Sequence, residues 1–328
     1  MRAAFYRNYG NARDVFEVGE LPTPDPGPGE VSVRVAFSGV NPSDINRRRG
    51  IRQRLENPLI VPHNDGAGVI ERVGTGVDAK RIGERVWLWN GQRDGRTMGT
   101  CSEYFTGPEK YAVPLPENLS LEEGACLGVP AVTAYTSLFE AGPLDGLDVL
   151  VTGAAGAVGH YAVQMARLAG AAQVFGTVSG DAKAAHAAKA GIDHVLNYRV
   201  DDIVDRIMEV TNGKGVERIS EVNFFGNLHT MTKVTGPSCS VGIYGAGGQI
   251  DGVVDILPFI FRHVSLRFIQ CNIIPKPLRD AATRGITHWA TEGCLVHTVG
   301  EIYDLDEISE AHEAVEGGQV IGNDLVRL

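Results

Sequence analysis

From Leu150 to Ala171 the chain reads LVTGAAGAVGHYAVQMARLAGA. This is a short apolar strand, a turn with glycines at 153, 156 and 159, and a helix closed by Gly170. Few features restrict a fold as tightly. Gly153 permits a sharp exit from the strand, Gly156 lets a ligand phosphate approach the backbone, and Gly159 lets the helix pack close to the sheet. The helix begins with free N–H groups and the positive end of its dipole at the turn, which suits a pyrophosphate. Val158, Ala162, Met165 and Ala169 form the expected inward stripe. Such a turn also occurs with no ligand, so its context decides the reading.

The context favours a ligand. From about Gly146 onward, apolar runs alternate with helical segments. The runs are Asp148–Thr152, Gln173–Val178, His194–Asn197, Val216–Val222, Cys239–Tyr244 and Val264–Gln270. The helices lie near Val158–Ala169, Asp181–Ala190, Asp202–Val210, Asn227–Val234 and Val253–Arg262. This alternation predicts an α/β domain with a doubly wound parallel sheet, and six strands suit a full dinucleotide-binding unit.

The 328 residues leave room for a second domain. Before the alternation, RAAFYR, VSVRVAFSGV, GAGVIERVGTGV and GERVWLW read as strands with glycine turns. Leu21–Glu30, with four prolines and two glycines, reads as a turn-rich connection. The first 120 or so residues therefore form a mostly β domain. After Gln270 come a helix near Leu278–Glu292, a strand near Val296–Ile302, a helix near Ile308–Glu316 and a final LVRL, expected to rejoin the first domain.

Bulk properties remove several function classes. The net charge of −10 disfavours dedicated binding to nucleic acid or an anionic membrane. Apolar runs are too short to span a bilayer, and MRAAFYRNYG lacks a signal-peptide core. Five cysteines without a C-x-x-C pair point to reduced thiols and a cytoplasmic location.

An NAD site places an acid at the end of the second strand, about 20 residues after the glycines, to hold the ribose hydroxyls. Here that end reads FGTVSGDAK, with Ser179 at the strand end and Lys183 in the next helical turn. A hydroxyl and a lysine suit a 2′-phosphate and favour NADP(H); Asp181 is read as a helix N-terminal charge. No H-E-x-x-H or cysteine cluster marks a metal site, and His63 is read as a bonded core or loop residue. GVNPSD (Gly39–Asp44) and HNDGAG (His63–Gly68) have two open readings: turn chemistry, or a polar wall beside a nicotinamide.

GVNPSD, PHNDGAGVIERVG, GERVW, GVPAVTAY, VLVTGAAGAVGHYAVQMAR, GTVSGDAKAAHAAKAG and AHEAVEGG together resemble the zeta-crystallin or quinone oxidoreductase branch of the medium-chain dehydrogenase/reductases. The resemblance runs nearly the whole chain. It implies a GroES-like β-rich catalytic domain (1–122, with 272–328 returning to it) and a Rossmann NADP-binding domain (123–271). It also implies NADPH, no zinc, and a homodimer or homotetramer. Zinc members carry cysteine where Asn41 stands and histidine where Asn64 stands.

The implied cofactor residues are Gly153, Ala155, Gly156, Ala157, Val158 and Gly159 at the turn; Ser179, Lys183 and Tyr198 at the adenosine phosphate; Tyr244, Gly245 and Ala246 after strand five; Ile269, Gln270 and Cys271 after strand six; and Thr133 near the nicotinamide ribose. Asn41 resembles the substrate-facing asparagine. Asn46 stands where the family often has tyrosine, another tyrosine past Gly50 is missing, and a terminal Gly-Lys is Gly322-Asn323. The implied reaction is hydride transfer from NADPH to a small quinone or other α,β-unsaturated carbonyl, with Asn41 orienting the carbonyl. An enoyl-thioester reductase, or a non-enzymatic crystallin-like or RNA-binding role, are the alternatives. Arg47, Arg48, Arg49, Arg52 and Arg54 are read as a solvated face, or else as a site for an anionic substrate or RNA. FIFRHVSLRFIQ is read equally as a subunit-interface strand or a core strand.

Overall fold

The computed structural model describes all residues except 52–58, 93–94, 250 and 319. In chain order the first elements are β1 (Arg2–Tyr6), α1 (Ala12–Val15), β2 (Phe16–Glu20), β3 (Glu30–Gly39), α2 (Pro42–Arg48), β4 (Asp65–Val73), β5 (Arg85–Leu88), β6 (Tyr104–Pro108), β7 (Ala112–Pro114), α3 (Leu121–Ala125) and α4 (Gly128–Phe139). Then follow β8 (Asp148–Val151), α5 (Ala157–Leu168), β9 (Gln173–Val178), α6 (Asp181–Ala188), β10 (His194–Asn197), α7 (Ile203–Val210), β11 (Val216–Glu221), α8 (Phe224–Val234), β12 (Thr235–Ile243), α9 (Leu257–Phe261) and β13 (Ser265–Phe268). The last are α10 (Lys276–Thr291), β14 (Val299–Asp304), α11 (Ile308–Glu316) and β15 (Asn323–Arg327).

These elements divide into two compact units. One holds Met1–Val129, Thr287–Gly293 and His297–Leu328; the other holds Pro130–Ile286 and Cys294–Val296.

In the second unit six strands form one parallel sheet in the order β10-β9-β8-β11-β12-β13. The reversal of strand order beside β8 is the topological switch point where such sheets bind ligands. Val149, Leu150 and Val151 are fully buried there, each contributing about 2 kcal/mol of apolar burial. Helix α5 departs from the expected narrow stripe: eight consecutive residues, Gly159–Ala166, are buried, whereas Val158 and Ala169 are only partly covered. Small side chains allow this packing. At Gly159 an added Cβ would lie 2.2 Å from the Gly153 carbonyl oxygen. Gly153 itself has φ +67°, a conformation that side chains disfavour.

The first unit is built on a seven-stranded sheet in the order β14-β15-β3-β4-β5-β7, with β6 also on β3. Strand β15 brings the C-terminus back, pairing Leu325 with Gly39. Its Leu325 and Val326 are fully buried. Among the described arginines of the 47–54 cluster, the solvated-face reading fails at Arg48 and holds at Arg49, whose side chain is 48% exposed. Arg48 is fully buried, donating to the Gly10 carbonyl at 2.5 Å and to Glu316 at 2.7 Å. Arg49 shares Glu316, and Arg47 donates to the Gln92 carbonyl at 3.0 Å. These three hold α2 against neighbouring segments. Arg52 and Arg54 lie outside the described residues.

His63 is a buried core histidine with φ +74°. Its Nδ1 meets Ser38 Oγ at 2.8 Å, and its Nε2 meets Nε2 of the stacked, equally buried His312 at 2.9 Å. One of the facing nitrogens must carry a proton and the other must not, so the two rings cannot both be cationic. Burial pushes the His63 pKa down to about 3 and that of His312 well below its ordinary value, where His63 and Arg48 add repulsion. The folded chain therefore binds fewer protons than the unfolded chain below pH ~6.5, and stability falls as the pH drops from there toward about 3. We expect a decline of up to about 1.4 kcal/mol per pH unit for each histidine. Chemical denaturation of the chain between pH 7 and 5 measures it. His312→Leu should flatten the slope, and an unchanged slope in that variant would contradict the assignment.

Candidate active site

The glycine turn sits at the carboxyl end of β8. Gly153 N–H donates to Thr177 Oγ1 at 3.0 Å and Ala154 N–H to the Thr177 carbonyl at 2.9 Å, which ties the turn to the end of β9. Ala155 is buried, whereas Gly156 is exposed and caps α5. A Cβ at Gly156 would meet only the Gly153 carbonyl oxygen, at 3.4 Å. Ala157 and Val158 open the helix, so its first N–H groups face the uncovered side of the turn. A group the size of a methyl can thus approach Gly156 without displacing a side chain.

A pocket of about 630 Å³ adjoins the turn. Gly153, Thr177, Tyr198 and Val222 come to it from the ends of four neighbouring strands, and Asn223 and Asn227 from α8. Of the residues expected from sequence it gathers Gly153 and Tyr198. Ser179 and Lys183 are half-buried beyond β9 and in the first turn of α6, outside its lining. Asp201 and Asp202, in the loop before α7, add carboxylates to its wall.

Tyr244, Gly245 and Ala246 follow β12. Tyr244 N–H donates to the Glu221 carbonyl at 3.0 Å, and Phe224 N–H to the Gly245 carbonyl at 3.1 Å. Only glycine fits at 245, where a Cβ would lie 2.0 Å from the Val222 carbonyl oxygen. Ala246 bridges Asn223. Ile269 N–H donates to the Ile243 carbonyl at 2.7 Å; Gln270 follows, and Cys271 is buried. Thr133 is buried on α4.

Sequence reasoning missed Glu221. Its side chain is fully buried at the end of β11, where Oε1 accepts Asn223 N–H at 2.5 Å and Asn227 Nδ2 at 2.8 Å. Burial raises its pKa against these bonds, and burial followed by the Glu221 charge raises that of Tyr244. The signal was present as an acid at the carboxyl end of the predicted strand VERISEV. It holds the start of α8, and with it two residues of the pocket wall.

In the first unit Asn41 is nearly buried at the N-cap of α2. Its Nδ2 donates to Asp65 Oδ2 at 2.7 Å. Asn64 Nδ2 donates to Asp44 Oδ1 at 3.1 Å, and its Oδ1 accepts Gln92 N–H at 3.2 Å. These contacts bear out the turn-chemistry reading of GVNPSD and HNDGAG: the residues cap a helix and cross-link two loops. Asn46 is half-buried on α2. Among the described residues no three or more His, Cys, Asp or Glu side chains are grouped to hold a metal ion. Nor is any described helix long and apolar enough to cross a membrane.

Residues 27–117 match the alcohol dehydrogenase GroES-like domain and residues 157–279 the zinc-binding dehydrogenase domain. The chain is 30% identical to a 2-haloacrylate reductase of Burkholderia sp, over 98% of this chain and 97% of that one. It is 37% identical to the human synaptic vesicle membrane protein VAT-1 homolog over 70% of this chain, which spans 56% of that longer relative. Among solved structures, an NAD-dependent alcohol dehydrogenase superposes with TM-score 0.88 at 28% identity, each chain fully covered. A Pseudomonas syringae quinone oxidoreductase superposes with TM-score 0.87 at 25% identity, covering 100% of this chain and 99% of the other. With both domain models matched in order and full-length identity at this level, the chain belongs to the quinone oxidoreductase branch of the medium-chain dehydrogenase/reductases.

Proposed function

We propose that the protein is a zinc-independent oxidoreductase that passes hydride from NADPH to a quinone or another α,β-unsaturated carbonyl. The observation that carries this reading is the uncovered approach at Gly156, where the N-terminus of α5 can receive a pyrophosphate. Tyr198 at the pocket, with Ser179 and Lys183 beyond β9, supplies a ring, a hydroxyl and a cation for the adenosine 2′-phosphate. The absence of an acid on β9 itself supports the phosphorylated coenzyme.

When bound, the coenzyme supplies the hydride. The chain's own task is to hold the acceptor and stabilise the charge it gains. A plain ketone would gain a localised alkoxide charge, for which a Lewis acid is the usual remedy. A conjugated acceptor spreads its charge, and a hydrogen-bond donor of the Asn41 type suffices for it. Asn41 and Asn64 offer amides where zinc relatives have a thiolate and an imidazole, which supports this division of labour.

A cytoplasmic homodimer is part of the same reading. Strand β13 is the edge of the parallel sheet, and Phe261 and Phe268 beside it are 82% and 73% exposed. Such an apolar edge suits pairing with a second copy rather than a core role. Sedimentation of Phe268→Glu is expected to give monomers where the parent gives dimers; a parent that sediments as a monomer removes the proposal.

The reaction is tested by following NADPH and NADH absorbance with quinones, enals, enones and acyl thioesters, with a plain alcohol plus NADP as control. Consumption is expected with conjugated acceptors and not with the alcohol. Lys183→Ala should lower kcat/KM for NADPH about tenfold, the equivalent of ~1.4 kcal/mol, and leave NADH unchanged. An equal loss with both coenzymes, or a parent preference for NADH, would contradict the phosphate assignment.

A further inference from the structure

The substrate-side amide is held by a lattice of buried carboxylates that has a definite sense. Asp65 and Asp44 are 1% and 2% exposed. Asp65 Oδ2 accepts two hydrogen bonds, from Asn41 Nδ2 at 2.7 Å and from Val129 N–H, in the first turn of α4, at 2.8 Å. Asp44 Oδ2 accepts the Asn41 backbone N–H at 2.9 Å, completing a capping box in which the Asn41 side chain faces the Asp44 N–H. The main chain passes so close to the Asp65 carboxylate that only glycine fits at 128, where a Cβ would lie 2.1 Å from Oδ1.

An asparagine amide can present either of two faces, because its oxygen and nitrogen ends are nearly the same shape. An ionised carboxylate accepts hydrogen bonds and donates none. At Asp65 Oδ2, which also takes the Val129 N–H, it is the nitrogen end of Asn41 that turns toward the carboxylate. The oxygen is left for the start of α2, and the hydrogen bonds of this loop use only one of the two Nδ2 hydrogens. We propose that Asp65 is a positioning residue that fixes the Asn41 amide as a hydrogen-bond donor, so that the site selects acceptors with a carbonyl oxygen. This rests on the hydride-transfer reading above. It adds that the donor character is imposed by a neighbouring acid rather than intrinsic to asparagine. It also gives Asp65 a task beyond placing a negative charge at the N-terminus of α4.

A double-mutant cycle tests it, using the full chain, NADPH and a quinone. Asn41→Ala, Asp65→Asn and the double variant are compared with the parent for kcat, KM and NADPH binding. If Asp65 acts through Asn41, Asp65→Asn lowers kcat about tenfold or more in the parent and less than about twofold in the Asn41→Ala background, with NADPH affinity unchanged. Equal factors in both backgrounds would show a merely structural role and overturn the proposal. Parent-like kcat in Asn41→Ala would instead sink the mechanistic reading on which it rests. Should Asp65→Asn fail to fold, the exchanged pair Asn41→Asp with Asp65→Asn decides. It restores a hydrogen bond of opposite sense and puts a carboxylate where the donor stood. It is expected to fold, to bind NADPH and to turn over as slowly as Asn41→Ala; full parental kcat in the exchanged pair would contradict the donor assignment.

Discussion

The contact between Gly159 and the carbonyl of Gly153 is the constraint from which the second unit follows. A methyl group at position 159 would sit 2.2 Å from that oxygen, so the start of α5 can lie against the turn only without a side chain. This closeness brings the first N–H groups of the helix to the carboxyl end of β8, at the point where strand order reverses. Thr177 anchors the same turn from the next strand. A helix N-terminus, a strand end and an exposed glycine thus coincide, an arrangement that suits an anion.

The first unit solves a different problem, that of holding amides in fixed orientation inside a protein. It does so with buried carboxylates whose bonds run in one direction only. Burying Asp44 and Asp65 is costly unless they are hydrogen-bonded. They are, to side-chain amides and to backbone N–H groups at the first turns of α2 and α4. The neutral His63–His312 pair is another polar insertion in this core, and it ties the residue before Asn64 to the C-terminal helix α11.

Much of the second unit was legible in the sequence. Strands β9 and β10 fall on the predicted residues, and the others within a few residues, because a buried parallel strand is a short apolar run bounded by turn residues. The width of the buried face of α5 was not legible, since alanine and glycine read equally as inward or outward positions. Arg48 was misread for a related reason: a run of arginines reads as exposed until the chain supplies Glu316 and the Gly10 carbonyl from distant positions. The partner of His63 lies 249 residues away and could not be found by spacing. The capping role of Asn41 and Asp44 was visible in GVNPSD, but its link to Asp65 depends on the pairing of β3 with β4.

Whether the turn receives a coenzyme is answered most directly at Gly156. The backbone there, at φ −78° and ψ 164°, is open to any residue, and a Cβ has space. Gly156→Val should therefore leave the protein folded, at the cost of a poorer helix cap, while the branched side chain blocks the approach of a phosphate. Calorimetric titration with NADPH is the measurement. The account predicts a loss of affinity of about a hundredfold or more in the folded variant, a difference of ~2.7 kcal/mol. Parental affinity in a folded Gly156→Val protein would contradict it.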